Sequence, residues 1–145
     1  METIAGGNGA HSKMDGMDGA HCHITNSLNM PVEAVEHEYP LMVEEYCLIN
    51  GSSGSGRMRG GMGVAREVRA LSDDTTFSGR ADSFITAAEG YDGGLPGSHC
   101  RIIRNFGSQN EIVMAPKQRL MSLAAGERIR METPGGGGLG DPSGR

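Results

Sequence analysis

The stretch His21-Cys22-His23 has the residue types best suited to chemistry in this chain. In an extended backbone, residues two apart point the same way, so His21 and His23 can offer two imidazoles to one divalent metal ion. Asp15, Asp18, Glu33, Glu36 and His37 lie nearby in sequence and can add oxygen or nitrogen ligands. The alternative is that both histidines hydrogen-bond to backbone or solvent, because the spacing supplies only two of the ligands a metal site needs. Neighbours in a strand face opposite ways, so Cys22 reads as a small buried residue and not as a thiol paired with an imidazole.

Gly51-Ser52-Ser53-Gly54-Ser55-Gly56-Arg57-Met58 is a near miss to the phosphate-binding G-x-x-x-x-G-K-[ST] loop. Arg57 stands where the lysine belongs and Met58 where the magnesium-binding hydroxyl belongs. A tight turn between two strands accounts for the same residues. Arg57, Arg59, Arg66 and Arg69 form a local basic stretch with no aromatic residue among them to stack a base. Solvated strand faces, or salt bridges to a partner, are the expected use. No G-x-S-x-G nucleophile signature is present.

The elements that would position these groups are short and punctuated by glycine, which makes up 24 of the 145 residues. Three clusters stand out: residues 6–19, residues 51–63, and Pro134 to Pro142. Each reads either as flexible linker or as backbone packed close to something. Between them, Leu41 to Leu48 is strand-like, with Met42, Tyr46 and Leu48 expected on one face. Val64 to Leu71, Glu111 to Met114 and Arg128 to Thr133 are strand-like too, with Ile129, Met131 and Thr133 sharing a side. A short helix is expected over Pro31 to Glu38. Pro31 suits a first helical position, Glu33 suits the first turn, and Pro40 ends it. The scattered methionines read as core filler. The expected fold is mainly β with one or two short helices (α+β).

Net charge is −5 and the pI about 5.5, which argues against nucleic acid or an anionic membrane as partner. Three cysteines without C-x-x-C spacing argue against a disulfide framework. There is no signal-peptide pattern and no run of about 18 apolar residues, so the cytoplasm is the expected location. Hydrophobic residues are 37 %, a sparse supply for a core, and a neighbouring protein surface would relieve that.

Taken in order, several segments resemble those of the hydantoinase B / 5-oxoprolinase family. Glu2-Thr3-Ile4-Ala5-Gly6-Gly7-Asn8-Gly9-Ala10 resembles the block that opens the last part of such chains. Asp18 to Asn26 is similar to the next, where His-x-His is followed by Thr-Asn. Pro31 to Pro40 resembles the third block. Gly54 to Val64 resembles a Gly-rich segment entering a strand that carries an arginine, here Arg66. Thr133 to Pro142 resembles the C-terminal signature. The resemblance is close over residues 2–71 and 126–142 and weak over 72–125.

The resemblance implies that residues 1–145 are the C-terminal fragment of a B-type subunit, with 134–145 as a Gly-rich tail. It implies ATP-dependent hydrolysis of a cyclic amide or imide ring. ATP would be bound by a companion hydantoinase A-type ATPase subunit, and the metal-associated His/Asp motif would lie in the missing N-terminal part. Within the chain, His21, His23, Asn26 and Glu33 are the candidate catalytic residues, and His21 and His23 the candidate metal ligands. Backbone N–H groups at Gly6, Gly7 and Gly61 are candidates to hold an oxyanion. An acetone-carboxylase-like alpha subunit and a non-catalytic remnant or assembly module are the alternatives.

Overall fold

The structure is a computed structural model that describes residues 2–22 and 25–144. One helix, α1 (Val32–Glu38), precedes seven strands: β1 (Leu41–Leu48), β2 (Val64–Ala70), β3 (Thr75–Arg80), β4 (Arg101–Arg104), β5 (Ile112–Val113), β6 (Lys117–Leu123) and β7 (Arg128–Glu132). A 3-10 turn covers Pro142–Gly144. Five strands form an antiparallel sheet in the order β1-β2-β7-β4-β5, and β3 pairs with β6 as a separate two-stranded sheet. This is the mainly β architecture expected, with one short helix. None of the helices among the described residues is long and apolar enough to cross a membrane.

Helix α1 has Pro31 as its N-cap residue, one position before the place expected for it. Glu33 lies in the first turn, His37 in the last, and Tyr39 turns extended (φ −126°, ψ 153°) ahead of Pro40. Only Val35 is buried, so tertiary contact holds the helix more than its own seven residues do.

The main sheet has two buried faces of different character. Registered partners share a face, so Val68 and Ala70 of β2 lie with Ile129 and Met131 of β7 and Ile102 of β4. Ala70, Ile102, Ile129 and Leu123 form the core, roofed by Phe77 and Met121 of the β3–β6 pair. On the opposite face Glu45, Glu67, Arg130, Glu132 and Arg101 form a ladder of ions. Arg130 bonds Glu132 at 2.8 Å, pairs with Glu45 and Glu67, and stacks on Phe106 at 4.4 Å. Glu67 Oε1 faces Arg128 at 3.1 Å, in ion-pair and not hydrogen-bond geometry.

A bulge between Val43 and Glu45 corrects the expected face of β1. Met42 registers with Arg69, whereas Tyr46 registers with Arg66 and Leu48 with Val64. The extra residue reverses the alternation, so Met42 and Tyr46 lie on opposite faces.

The glycine clusters are packed backbone and not linker. Gly7 N–H donates to the Pro134 carbonyl at 2.9 Å, Gly61 N–H to Asn8 at 2.8 Å, and Gly136 N–H to Gly61 at 2.9 Å. Gly54 N–H donates to Gly136 at 2.8 Å and Gly138 N–H to Leu95 at 3.0 Å. None of these five glycines has the left-handed φ. What they supply is the missing Cβ: one built on Gly7 would lie 2.0 Å from the Gly61 oxygen, and one on Gly61 1.9 Å from the Met17 oxygen. Residues 135–138, read as part of a tail, are buried in this layer. The segment 51–58 is likewise no tight turn between strands. Residues 49–63 link β1 to β2 by a long excursion through the layer, with a turn only at Asn50-Gly51.

Candidate functional site

Strand β2 places Arg66 on the core face of the sheet, where its side chain is 2 % exposed. Its Nη2 donates to Glu2 Oε1 at 3.1 Å, and its guanidinium lies over the Tyr46 ring, 4.7 Å from the centroid. Nε and Nη1 are buried and have no hydrogen-bond partner. Arg66 lines a cleft of about 240 Å³ between the main sheet and the β3–β6 pair, with Glu2 and Ile4 also in its lining. Val68, Ile129, Met131, Phe77 and Leu123 give it apolar walls. Thr75 lines the same cleft, and its Oγ1 is also buried without a partner.

The N-terminal block is fastened onto this cleft by residues distant in sequence. Glu2 Oε1 accepts from Met30 N–H at 3.1 Å as well as from Arg66. Asn29 Oδ1 accepts from the Tyr46 hydroxyl at 2.9 Å, while Asn29 Nδ2 donates to the Thr3 carbonyl at 3.2 Å. The Thr133 hydroxyl donates to the Ala5 carbonyl at 2.8 Å and accepts from Val64 N–H at 2.7 Å. Three segments singled out in sequence, residues 2–10, residues 54–64 with the strand they enter, and residues 133–142, therefore converge on one place.

The candidates named for metal and catalysis are arranged differently. His21 is half-buried, Cys22 is exposed and not the buried residue expected, and His23 lies outside the described residues. Asn26 and Glu33 are exposed. Asp15 and Asp18 serve Arg59: Asp15 accepts its backbone N–H at 2.8 Å, and Asp18 takes its guanidinium at 2.7 and 3.1 Å. The Arg59 hydrogen bonds and then the Met62 N–H hold the Asp18 carboxyl below its ordinary value. Glu36 accepts from Val43 N–H at 2.9 Å. Among the described residues, no three His, Cys, Asp or Glu side chains gather as a metal ion requires.

The oxyanion idea meets a physical obstacle at two of its three positions. The N–H groups of Gly7 and Gly61 are already given to Pro134 and Asn8 carbonyls, which leaves no donor to offer. The loop around Gly54 is committed in the same way, with the N–H groups of Gly54, Arg57 and Met58 on Gly136, Gly140 and Leu139 carbonyls. Three of the four arginines of the basic stretch pair within the chain: Arg59 with Asp18, Arg66 with Glu2, and Arg69 with Glu44. Nor are the methionines uniformly core, since Met14 and Met17 are each 55 % exposed while Met121 and Met131 pack on the core. Cys100 is buried, and burial first, then nearby Asp82, pushes its thiol up to about 11. It is inert at neutral pH.

Sequence reasoning treated Arg66 only as one of a basic stretch and as the arginine of a family segment. Its usable signal was a lone arginine among apolar and alternating positions of a strand, Val64-Ala65-Arg66-Glu67-Val68. Glu2, Tyr46 and Thr75 gave no local signal, because only the fold brings them to it.

The fold, as a whole, is shared with known proteins. The family model described as Hydantoinase B/oxoprolinase matches residues 1–142, and the chain belongs to this family. It is 33 % identical over 141 residues to the 5-oxoprolinase of Dictyostelium discoideum, covering 96 % of this chain and 11 % of that protein. The crystal structure of the ATP-dependent caprolactamase from Pseudomonas jessenii superposes with a TM-score of 0.76 at 27 % identity, over 98 % of this chain and 25 % of that one. The nucleotide-free structure of acetone carboxylase gives 0.78 at 20 % identity, over 97 % and 23 %, a likeness of fold alone. The chain spans about a quarter or less of the curated relatives it matches first, from 11 % to 24 %.

Proposed function

We infer that this chain works as part of an ATP-dependent amidohydrolase, of the hydantoinase or 5-oxoprolinase type, that opens a cyclic amide or imide ring. One observation carries the reading. The chain matches the family over residues 1–142 and overlays 98 % of its length on an ATP-dependent caprolactamase, yet amounts to a quarter of that protein. An amide carbonyl is a poor electrophile, and coupling to ATP supplies the driving force. In this reading ATP is bound by a companion A-type ATPase subunit, the reactive centre includes the remainder of the B-type polypeptide, and the assembly works in the cytoplasm. Exposed Leu28, Ile85 and Leu120, at 94, 90 and 72 %, are surfaces suited to packing against that remainder. The acetone-carboxylase alternative draws only on likeness of fold.

Reconstitution tests the proposal. The chain, the remaining B-type polypeptide and an A-type ATPase subunit are combined, and ATP-dependent opening of hydantoin and 5-oxoproline is followed. Turnover is expected only from the full set. Ring opening by the 145-residue chain alone, or undiminished turnover when it is left out, would overturn the reading.

A further inference from the structure

We propose that the outer edge of β1 at Tyr46-Cys47-Leu48 takes on an extended segment of the remaining B-type polypeptide, apolar where it lies along the edge and basic where it nears α1. Strand β1 stands at the end of the main sheet, so one of its edges faces β2 and the other faces no strand among the described residues. Hydrogen bonds fix which amides point where. Ile49 N–H donates to the Gly63 carbonyl at 2.8 Å, while the Val64 carbonyl turns the other way and accepts from Thr133 N–H, just past β7, at 2.8 Å. Alternation then turns Cys47 toward Ala65 and leaves the N–H and C=O groups of Tyr46 and Leu48 pointing outward. No backbone group among the described residues meets them there.

The two halves of this edge differ. From Leu41 to Val43 it is closed: Leu41 N–H donates to the Tyr39 carbonyl at 2.7 Å, and Val43 N–H to the Glu36 carboxylate at 2.9 Å. Pro40 and the bulge at Glu44 are further guards against a chance partner. Past the bulge these guards stop, and Tyr46, Cys47 and Leu48 are all exposed. With Asp18, Gly19 and Val64 they line a shallow depression of about 330 Å³ that can seat a side chain. An open edge with such a seat is the arrangement that strand addition uses. Charge selects the occupant. Residues 31–48 hold five glutamates and no lysine or arginine. Arg69 and Arg130 take up Glu44 and Glu45, but Glu33, Glu36 and Glu38 of α1 are exposed and meet no cation among the described residues. A second copy of the chain would bring two such acidic rims together, whereas a lysine or arginine on a different polypeptide is attracted. The chain is 24 % or less of its first relatives, so a large neighbour is at hand in this family.

The proposal rests on the reading that a B-type polypeptide completes this chain, and its test follows amide exchange beside turnover. Hydrogen exchange at Tyr46 and Leu48 is measured in the full chain alone and in the reconstituted set of chains. Both amides are expected to exchange freely in the chain alone and at least tenfold more slowly in the assembly. Leu48→Pro removes one outward N–H and no bond to β2, so the chain keeps its melting temperature and binds the B-type polypeptide tenfold or more weakly. Glu33→Gln combined with Glu38→Gln weakens the same association severalfold, most strongly at low salt. An assembly that forms and opens rings while both amides still exchange freely, or association indifferent to both changes, would overturn the added strand and leave the hydrolase reading intact. Slow exchange in the concentrated chain alone would put a second copy on the edge and overturn it as well. Slowed amides without ring opening uphold the strand and count against the hydrolase reading.

Discussion

Gly136 runs so close to Asn8 that a Cβ on the glycine would lie 1.9 Å from the asparagine carbonyl oxygen. Both are backbone atoms in a hydrogen-bonded layer, so neither can swing aside as a flexible side chain would. Gly9, the next residue, has nothing within 4 Å of the same hypothetical atom. Gly136→Ala is therefore expected to cost about 3 kcal/mol through overpacking, and Gly9→Ala to stay within about 0.5 kcal/mol. Urea unfolding of the two variants checks this. Equal midpoints would show that the layer is not packed as described.

Asp18 predicts the acid behaviour. Its carboxyl is held below the ordinary value by Arg59 and Met62, that of Glu127 chiefly by Arg104, and that of Glu45 chiefly by Arg130. Because these folded-state values lie below the unfolded ones, the stabilisation is in place above about pH 4 and is withdrawn as pH falls through the folded values. Asp18→Asn should cost about 1–2 kcal/mol at pH 7 and should flatten the acid limb of the melting temperature against pH. An unchanged acid limb would remove Asp18 from this role.

Arg130 separates a buried ion from an exposed partner. It is 9 % exposed and meets Glu67 and Glu132, at 4 and 7 %, as well as Glu45, at 42 %. Arg130→Met leaves Glu67 with Arg128 alone and Glu132 with Arg101 alone, and is expected to cost about 1–3 kcal/mol. Glu45→Gln touches only the half-exposed end and should cost under about 1 kcal/mol. Thermal melts of both variants check the order, and the reverse order would mean that the ladder is not buried in solution.

The sequence showed the elements that carry their own punctuation. Strand β1 begins after Pro40, β2 follows Gly63, β7 follows Gly126 after one residue, and α1 lies between Pro31 and Pro40. Strands β3, β4 and β6 passed unread. In β6, Lys117-Gln118-Arg119-Leu120-Met121-Ser122-Leu123 exposes most of its residues, because it belongs to a two-stranded roof, and shows no clean alternation. Strand β4 is only Arg101-Ile102-Ile103-Arg104, with both isoleucines fully buried on opposite faces, so its two apolar neighbours mimic no amphipathic pattern. The bulge at Glu44 has no signature in composition and inverted the reading of Tyr46. The cleft was the least legible part, since Glu2 and Arg66 are 64 residues apart and meet only when the glycine layer brings the N-terminal block alongside β2.

Peptide planes stacked on peptide planes leave a designer with almost nothing to adjust. There is no rotamer to reset, no methylene to trim and no gap to fill, so the usual repertoire of core redesign has no purchase between Gly7, Gly61 and Gly136. Any retuning of this protein, by selection or at the bench, has to be written on the strands and loops around that slab, with the slab itself serving as a fixed datum against which they are set.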